Sequence, residues 1–170
     1  SDILCSKSRP LHFRGVTTIV SKLLNIIRPH IMVIGQKDAQ QTALLQQMAT
    51  DLNIDTEIIA APIIREKDGL AMSSRNVYLK TNEREKALIL SKSLKNIKNS
   101  LLSGKTELNS ALNDARKIIE GTHGIRLDYL EAHTWPSLEP VKNLNGKILI
   151  AGAIFLANVR LIDNIIVGQE

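Results

Sequence analysis

The sequence predicts an α/β protein in two parts, a parallel βαβ layer over residues 1–63 and a small α+β unit with helices and an antiparallel sheet over residues 64–170. Three observations predict it. Short apolar strand segments alternate with helical segments as far as Pro62. Beyond a polar loop, two amphipathic stripes then follow one another directly. Three strand segments come after them.

Taken in order, residues 1–14 show no clean periodicity and contain Arg9-Pro10, which reads as a loop or arm. Val16, Ile19, Val20, Leu23, Leu24 and Ile27 mark one face of a helix that Pro29 ends. Residues 31–34, Ile-Met-Val-Ile, form a short apolar strand closing at Gly35. A helix follows over 38–52, with Ala43, Leu44, Gln47, Met48 and Leu52 on its inner side. Residues 57–60 supply a second strand, closed by Pro62, and the short connections make the two strands parallel neighbours.

From Arg65 the character changes. A polar, glycine-containing loop over 65–78 leads to a helix capped by Thr81, with Glu83 and Glu85 in its first turn. Ala87, Leu90, Leu94, Ile97 and Leu101 give it a clear apolar stripe, which Gly104 stops. Thr106 caps a second helix in which Leu108, Leu112, Ala115 and Ile119 point one way, and Gly121 ends it. Strand signals cover 127–132, 147–156 and 160–167, the last two forming a hairpin with Asn158 at its tip.

Composition narrows the function classes. The chain is 44% hydrophobic and 23% charged, the balance of an ordinary globular protein. Its longest apolar run, 148–157, is far shorter than the roughly 20 residues needed to span a bilayer. Cys5 is the sole cysteine, so no internal disulfide can form, and a cytoplasmic location is expected. The net charge of +5 raises nucleic acid as a partner, yet Lys92, Lys95 and Lys98 sit at the spacing of a solvated helix face. With aromatics at 3%, stacking platforms for bases are also lacking, so nucleic-acid and membrane partners are not expected.

Two constellations carry chemistry. Gly35, Gln36, Lys37 and Asp38 fall where a strand ends and a helix begins. Ligands of open α/β sheets bind at the carboxyl ends of strands, and helix N-termini there offer N–H groups and a positive dipole to phosphate. Gly35 lets the backbone come close, Lys37 adds a full charge, and Gln40 and Gln41 place amides in the first helical turn. Taken alone, this stretch fits more simply a routine strand-to-helix turn with a surface lysine. The second is Asp68-Gly69-Leu70-Ala71-Met72-Ser73-Ser74-Arg75-Asn76. Two adjacent hydroxyls and a guanidinium on a glycine-containing loop make a phosphate clamp, with Arg75 able to grip in bidentate fashion. By itself it reads equally as a serine-rich turn with an incidental arginine.

Four segments together carry a resemblance. RPLHFRG at 9–15, GQKDAQQ at 35–41, DGLAMSSRNVYL at 68–79 and RLIDN at 160–164 resemble the pantothenate synthetase (pantoate–β-alanine ligase) family in order and spacing, over essentially the whole chain. The MSSR segment at 72–75 is similar to the mobile phosphate-binding loop of the wider nucleotidylyl-transferase and class I aminoacyl-tRNA synthetase superfamily.

The resemblance implies that residues 1–63 are the C-terminal part of a Rossmann-like domain binding ATP and pantoate, and that 64–170 are a lid domain carrying the phosphate loop. The implied activity, in coenzyme A biosynthesis, is ATP-dependent ligation of pantoate and β-alanine to pantothenate through a pantoyl-adenylate. Gly35, Gln36, Lys37 and Asp38 then resemble an ATP-contacting stretch, with Lys37 on the phosphates. Gln41 matches a pantoate-holding glutamine, and Ile64 sits where the family presents backbone to adenine. Met72, Ser73, Ser74 and Arg75 match the loop that closes over the triphosphate, and the catalytic contacts fall to Lys37, Ser73, Ser74 and Arg75. Mg2+ travels with ATP; neither a protein metal site nor a tightly bound cofactor is expected. A homodimer is implied.

This sequence departs from the family pattern in places. Gln36 stands where an acidic residue is expected, Ala39 where an aromatic one is, and Leu11 replaces a glycine. Ala157-Asn158 replaces a glycine-containing turn, with Asn158 supplying tolerance of left-handed geometry. The family's H-x-G-H motif, which steadies the phosphates, does not occur: His12, His30, His123 and His133 are isolated, and His30 and His133 read as structural or exposed. The expectation is therefore a C-terminal portion of the ligase, inactive in isolation. The alternative is a non-catalytic nucleotide- or partner-binding module that keeps the ligase fold.

Overall fold

The computed structural model describes residues 3, 4 and 11–168; Cys5 and the Arg9-Pro10 pair lie outside them. The chain divides into two compact units, Ser1–Ile63 and Ile64–Glu170.

In the first unit, α1 (His12–Ile27) leads to β1 (Ile31–Gly35), a 3-10 turn (Gln36–Asp38), α2 (Ala39–Asp51) and β2 (Glu57–Ala61). The strands pair in parallel, Ile31 opposite Glu57 and Gly35 opposite Ala61, as the alternating rhythm predicts. Thr56 Oγ1 donates to the Pro29 carbonyl at 2.7 Å and Glu57 N–H to the His30 carbonyl at 3.0 Å, which sets the register at the strand starts. Leu24, Ile34, Leu45, Ala49 and Ile58 form the core, with Val16, Val20 and Met32 against it. Because side chains alternate along a strand, Ile31, Val33 and Ile59 point the other way and are exposed, Val33 at 63%.

Two expectations need correcting here. Helix α1 begins at His12 rather than after residue 14. Its first turn precedes the apolar stripe that opens at Val16; Thr17 and Thr18 donate their hydroxyls back to the Phe13 and Arg14 carbonyls. Helix α2 is also turned from the expected face: Ala39, Thr42, Ala43, Leu45 and Ala49 are buried, whereas Gln47 and Leu52 are exposed. Ala43 is buried and Met48 packs against the core as expected, but Leu45 and the small Ala39, Thr42 and Ala49 complete the inner side where Gln47 and Leu52 were expected.

In the second unit, a 3-10 helix (Ser74–Tyr78) precedes α3 (Thr81–Leu102) and α4 (Leu108–Glu120). Strands β3 (Ile125–Thr134), β4 (Ile148–Leu156) and β5 (Val159–Val167) form an antiparallel sheet in sequence order. The α3 stripe of Ala87, Leu90, Leu94 and Ile97 and the α4 stripe of Leu112, Ala115 and Ile119 pack with Leu130, Ile150 and Ile154 of the sheet. Gly152 makes the close approach possible, since a Cβ there would lie 2.8 Å from Leu90 Cδ1 and 3.1 Å from Leu130 Cδ1.

The caps differ from expectation. Lys80, not Thr81, is the cap residue of α3, and Glu83 accepts from the Lys80 N–H at 2.9 Å. Glu107, not Thr106, precedes α4. At the β4–β5 turn the left-handed residue is Ala157, φ 50°, rather than Asn158. Propensity ranks Asn above Ala for that geometry, but strand register decides which residue meets it.

Candidate functional site

The first group sits at the carboxyl end of the parallel pair. Gly35 is the last residue of β1, and Gln36, Lys37 and Asp38 form the 3-10 turn into α2. Gln36 and Lys37 are half-buried and Asp38 is exposed, so the turn presents its side chains at the mouth of a helix N-terminus. The Asp38 carbonyl accepts from Thr42 Oγ1 at 3.3 Å, which ties the turn to the buried side of α2. Gln41 is half-buried one turn on. Gln40 behaves otherwise than expected: it is buried, and its Nε2 donates to the Ile3 carbonyl at 3.0 Å, a structural tie. An open groove of about 650 Å3 lined by Gln46, Thr50, Asn53, Asp55, Thr56 and Glu57 lies at the opposite end of β2 and contains none of these residues.

The second group is built on a fastened base in the other unit. Arg65 and Ala71 pair across a tight turn in which Glu66 N–H donates to the Leu70 carbonyl at 2.8 Å and Gly69 N–H to the Glu66 carbonyl at 2.8 Å. Gly69 adopts φ 96°, a geometry that suits a residue without Cβ, and Asp68 Oδ1 accepts from Leu70 N–H at 3.2 Å. Three ties hold this turn. Arg65 donates to both carboxylate oxygens of Asp163 on β5, at 2.7 and 3.0 Å, and to the Gly69 carbonyl at 3.1 Å. Ser91 Oγ of α3 donates to the same carbonyl at 3.1 Å. Arg84 of α3 donates to Asp68 Oδ2 at 2.8 Å and to Glu66 Oε2 at 2.5 Å.

The tip then projects. Met72 is 54% exposed, Ser74 and Arg75 are exposed, and Ser73 is half-buried. Ser73 Oγ accepts from the Arg75 N–H at 3.3 Å and so starts the 3-10 helix. A hydroxyl that accepts one bond still has its own proton to give. Asn76 closes the tip: its Nδ2 donates to the Ala71 carbonyl at 3.0 Å and to Glu66 Oε1 at 2.5 Å. Ile64 is 68% exposed, and its carbonyl accepts from Met72 N–H at 2.9 Å.

Charge in the base is arranged around Arg84. Asn76 first, and Arg84 next, hold the Glu66 carboxyl below its ordinary value by hydrogen bonding. Arg84, then the Leu70 N–H, does the same for Asp68, and the two carboxylates raise Arg84 in return. Sequence reasoning named the tip but missed Arg65, Glu66, Arg84 and Asp163 as its supports. The Asp68-Gly69 turn signal was the only local hint. Among the described residues, no group of three or more His, Cys, Asp or Glu could hold a metal ion. His30 is exposed, and His133 is buried with Nε2 3.0 Å from Glu131.

The fold is thus of the α/β class, a parallel layer with a strand-end turn followed by an α+β unit that presents a hydroxyl–arginine loop. The chain belongs to the pantoate-beta-alanine ligase family, whose sequence profile matches residues 1–166. It is 49% identical to the pantothenate synthetase of Acetivibrio thermocellus over 98% of its length, and 48% identical to that of Thermotoga petrophila over 97%. The chain spans 59% of the length of each of these relatives. A solved pantothenate synthetase from Thermus thermophilus superposes with a TM-score of 0.86 at 32% identity, covering 96% of this chain and 59% of that one. A ligase from Francisella tularensis, complexed with beta-gamma ATP and beta-alanine, gives 0.68 at 34% identity, covering 96% and 54%.

Proposed function

We propose that the chain is the part of a pantoate–β-alanine ligase that supplies the strand-end phosphate turn and the phosphate loop, acting with the further length that its relatives carry. The observation that carries this reading is the exposed tip at 72–75 on a base tied to both β5 and α3. Residues 1–63 then serve ATP and pantoate, and 64–170 act as the lid.

In the first half-reaction a pantoate carboxylate oxygen attacks the α-phosphorus of ATP. A new P–O bond forms, the bond to the bridging oxygen breaks, and pyrophosphate leaves with that electron pair. In the second, the amine of β-alanine attacks the acyl carbon, AMP departs with the acyl C–O electron pair, and the amine loses a proton. Both steps bring anions together, so positioning and charge compensation are the protein's main tasks. Lys37, at the helix mouth, meets the phosphates, with Gly35, Gln36 and Asp38 lining the turn. Gln41 holds pantoate. Arg75 grips phosphate oxygens two at a time, while Ser73 and Ser74 donate hydroxyls to them and Met72 covers the group. Ile64 presents its backbone to adenine, with its carbonyl also accepting from the Met72 N–H. Mg2+ enters as the companion of ATP, held by the phosphates.

In isolation the chain binds ATP weakly and makes no pantothenate, because its two groups supply only part of a phosphate cradle. Its exposed Ile31, Val33 and Ile59 favour self-association. Among the described residues no helix is long and apolar enough to cross a membrane. The test supplies labelled pantoate, ATP and β-alanine to the complete protein and to this chain. Labelled pantothenate with stoichiometric AMP from the complete protein supports the reading. ATP binding without either product from the complete protein would favour a non-catalytic nucleotide-binding module.

A further inference from the structure

Asn76 occupies an unusual position for a residue one step past an exposed arginine. It is 6% exposed, and one nitrogen of its amide, Nδ2, bonds both ends of the structure around the tip: the Ala71 carbonyl before it and, through Glu66, the tight turn below it. Both partners are acceptors, so the amide orientation is fixed by chemistry. Its Oδ1 is thereby left buried without a hydrogen-bond partner. A buried acceptor without a partner costs stability, which offsets part of what the two donor bonds contribute. What the Asn76 amide supplies here is its two donor bonds.

The Glu66 carboxylate that receives Asn76 also receives Arg84, and Arg84 spans from there to Asp68. Two carboxylates beneath a loop that faces polyphosphate would repel the ligand. Arg84 sets a cation between them and offsets one of the two charges, which lessens the negative field at the tip.

We propose that Asn76, oriented by the Glu66–Arg84 pair, is the positioning residue of the 72–75 tip, fixing where Ser73, Ser74 and Arg75 direct their donors toward a nucleoside triphosphate. The inference rests on the phosphate-loop reading given above. Ala71 and Asn76 are the two fixed points between which the tip hangs. The Asn76 backbone N–H, which bonds the Ser73 carbonyl at 3.0 Å, remains in Asn76→Ala, so that variant removes only the two side-chain ties.

The experiment compares Asn76→Ala, Glu66→Gln and Arg75→Ala in the complete enzyme, with MgATP, pantoate and β-alanine each varied in turn. Thermal unfolding of each variant and amide hydrogen exchange of residues 72–76 are measured alongside. The expected result is a rise of about tenfold or more in KM for ATP in Asn76→Ala, a smaller rise in Glu66→Gln, and KM for β-alanine unchanged in both. Exchange at 72–76 should accelerate in both variants while α3 and α4 keep their protection. Glu66→Gln keeps the shape and an acceptor oxygen, so it reports on positioning even where Asn76→Ala folds poorly. Weakening in Arg75→Ala with wild-type ATP dependence in Glu66→Gln and Asn76→Ala overturns the positioning role alone. Equal loss for all substrates, together with general loss of protection, also overturns it by showing a merely structural residue. Wild-type ATP dependence in Arg75→Ala overturns the phosphate-loop reading itself, and this inference with it.

Discussion

The Arg65 guanidinium holds the Asp163 carboxylate through two parallel hydrogen bonds, 2.7 and 3.0 Å long, joining the start of the 65–78 loop to the middle of β5. Asp163 is 5% exposed, and its Oδ1 also accepts from the Asn164 N–H at 2.8 Å, so the buried carboxylate accepts three hydrogen bonds. The RLIDN segment thus supports the site from the sheet rather than lying in it.

Asp163→Ala should leave a partly buried guanidinium unpaired and destabilise the second unit by about 3 kcal/mol. Arg65→Lys should recover only part of the loss, since an ammonium cannot form the fork. Urea unfolding of the variants checks both, and an Asp163→Ala midpoint equal to wild type would contradict the account.

Gly152→Ala should cost about 1–3 kcal/mol, because the added methyl meets Leu90 and Leu130 at positions buried on every side. The change belongs in the second unit, so hydrogen exchange should rise in α3 and β4 and stay unchanged in β1 and β2. Unaltered stability would mean that α3 can move off the sheet freely.

Ala157→Gly should stabilise the hairpin by about 0.5–1 kcal/mol, since Ala157 holds φ 50° at the β4–β5 turn and glycine takes that geometry without strain. Asn158→Gly at the neighbouring position should not help. Thermal unfolding of the two variants decides which residue bears the left-handed geometry.

The base of the loop should respond to acid. Glu66 and Asp68 lie below their ordinary values of 4.5 and 3.8. A carboxyl whose folded pKa is lowered contributes stability that is full above the unfolded value and is lost as pH falls through the folded one. The loop base should therefore be intact at about pH 6, weaken as pH falls below the ordinary values of 4.5 and 3.8, and open only once pH passes below the lowered ones, while Arg84 stays charged throughout. The Asn76 side-chain amide resonances follow this directly. Glu66→Gln should remove much of the dependence, and resonances unchanged down to about pH 2 would contradict it.

What the sequence made legible follows from how far each signal travels along the chain. The α3 stripe was readable because Ala87, Leu90, Leu94 and Ile97 all face one core. The parallel pairing of β1 and β2 was readable from segment order. The inner face of α2 was readable only in part, at Ala43 and Met48, because Ala39, Thr42 and Ala49 are small and carry little hydrophobic contrast. Caps at Thr81 and Thr106 were misplaced by one residue, where backbone geometry outweighed side-chain preference. In the candidate site, the tip residues were named from their chemistry. Their supports were hidden, because Arg65 and Asp163 stand 98 residues apart and Glu66 and Arg84 stand 18 apart, with no periodicity linking either pair.

In the proposed function Lys37 and Arg75 each act on the phosphates during adenylation. The most direct test is pantoate-dependent exchange of labelled pyrophosphate into ATP, measured in the complete protein and in its Lys37→Ala and Arg75→Ala variants. Each variant should lose ~100- to 1000-fold in exchange rate, with Arg75→Lys recovering little. Exchange at the wild-type rate in Lys37→Ala or Arg75→Ala would contradict the account.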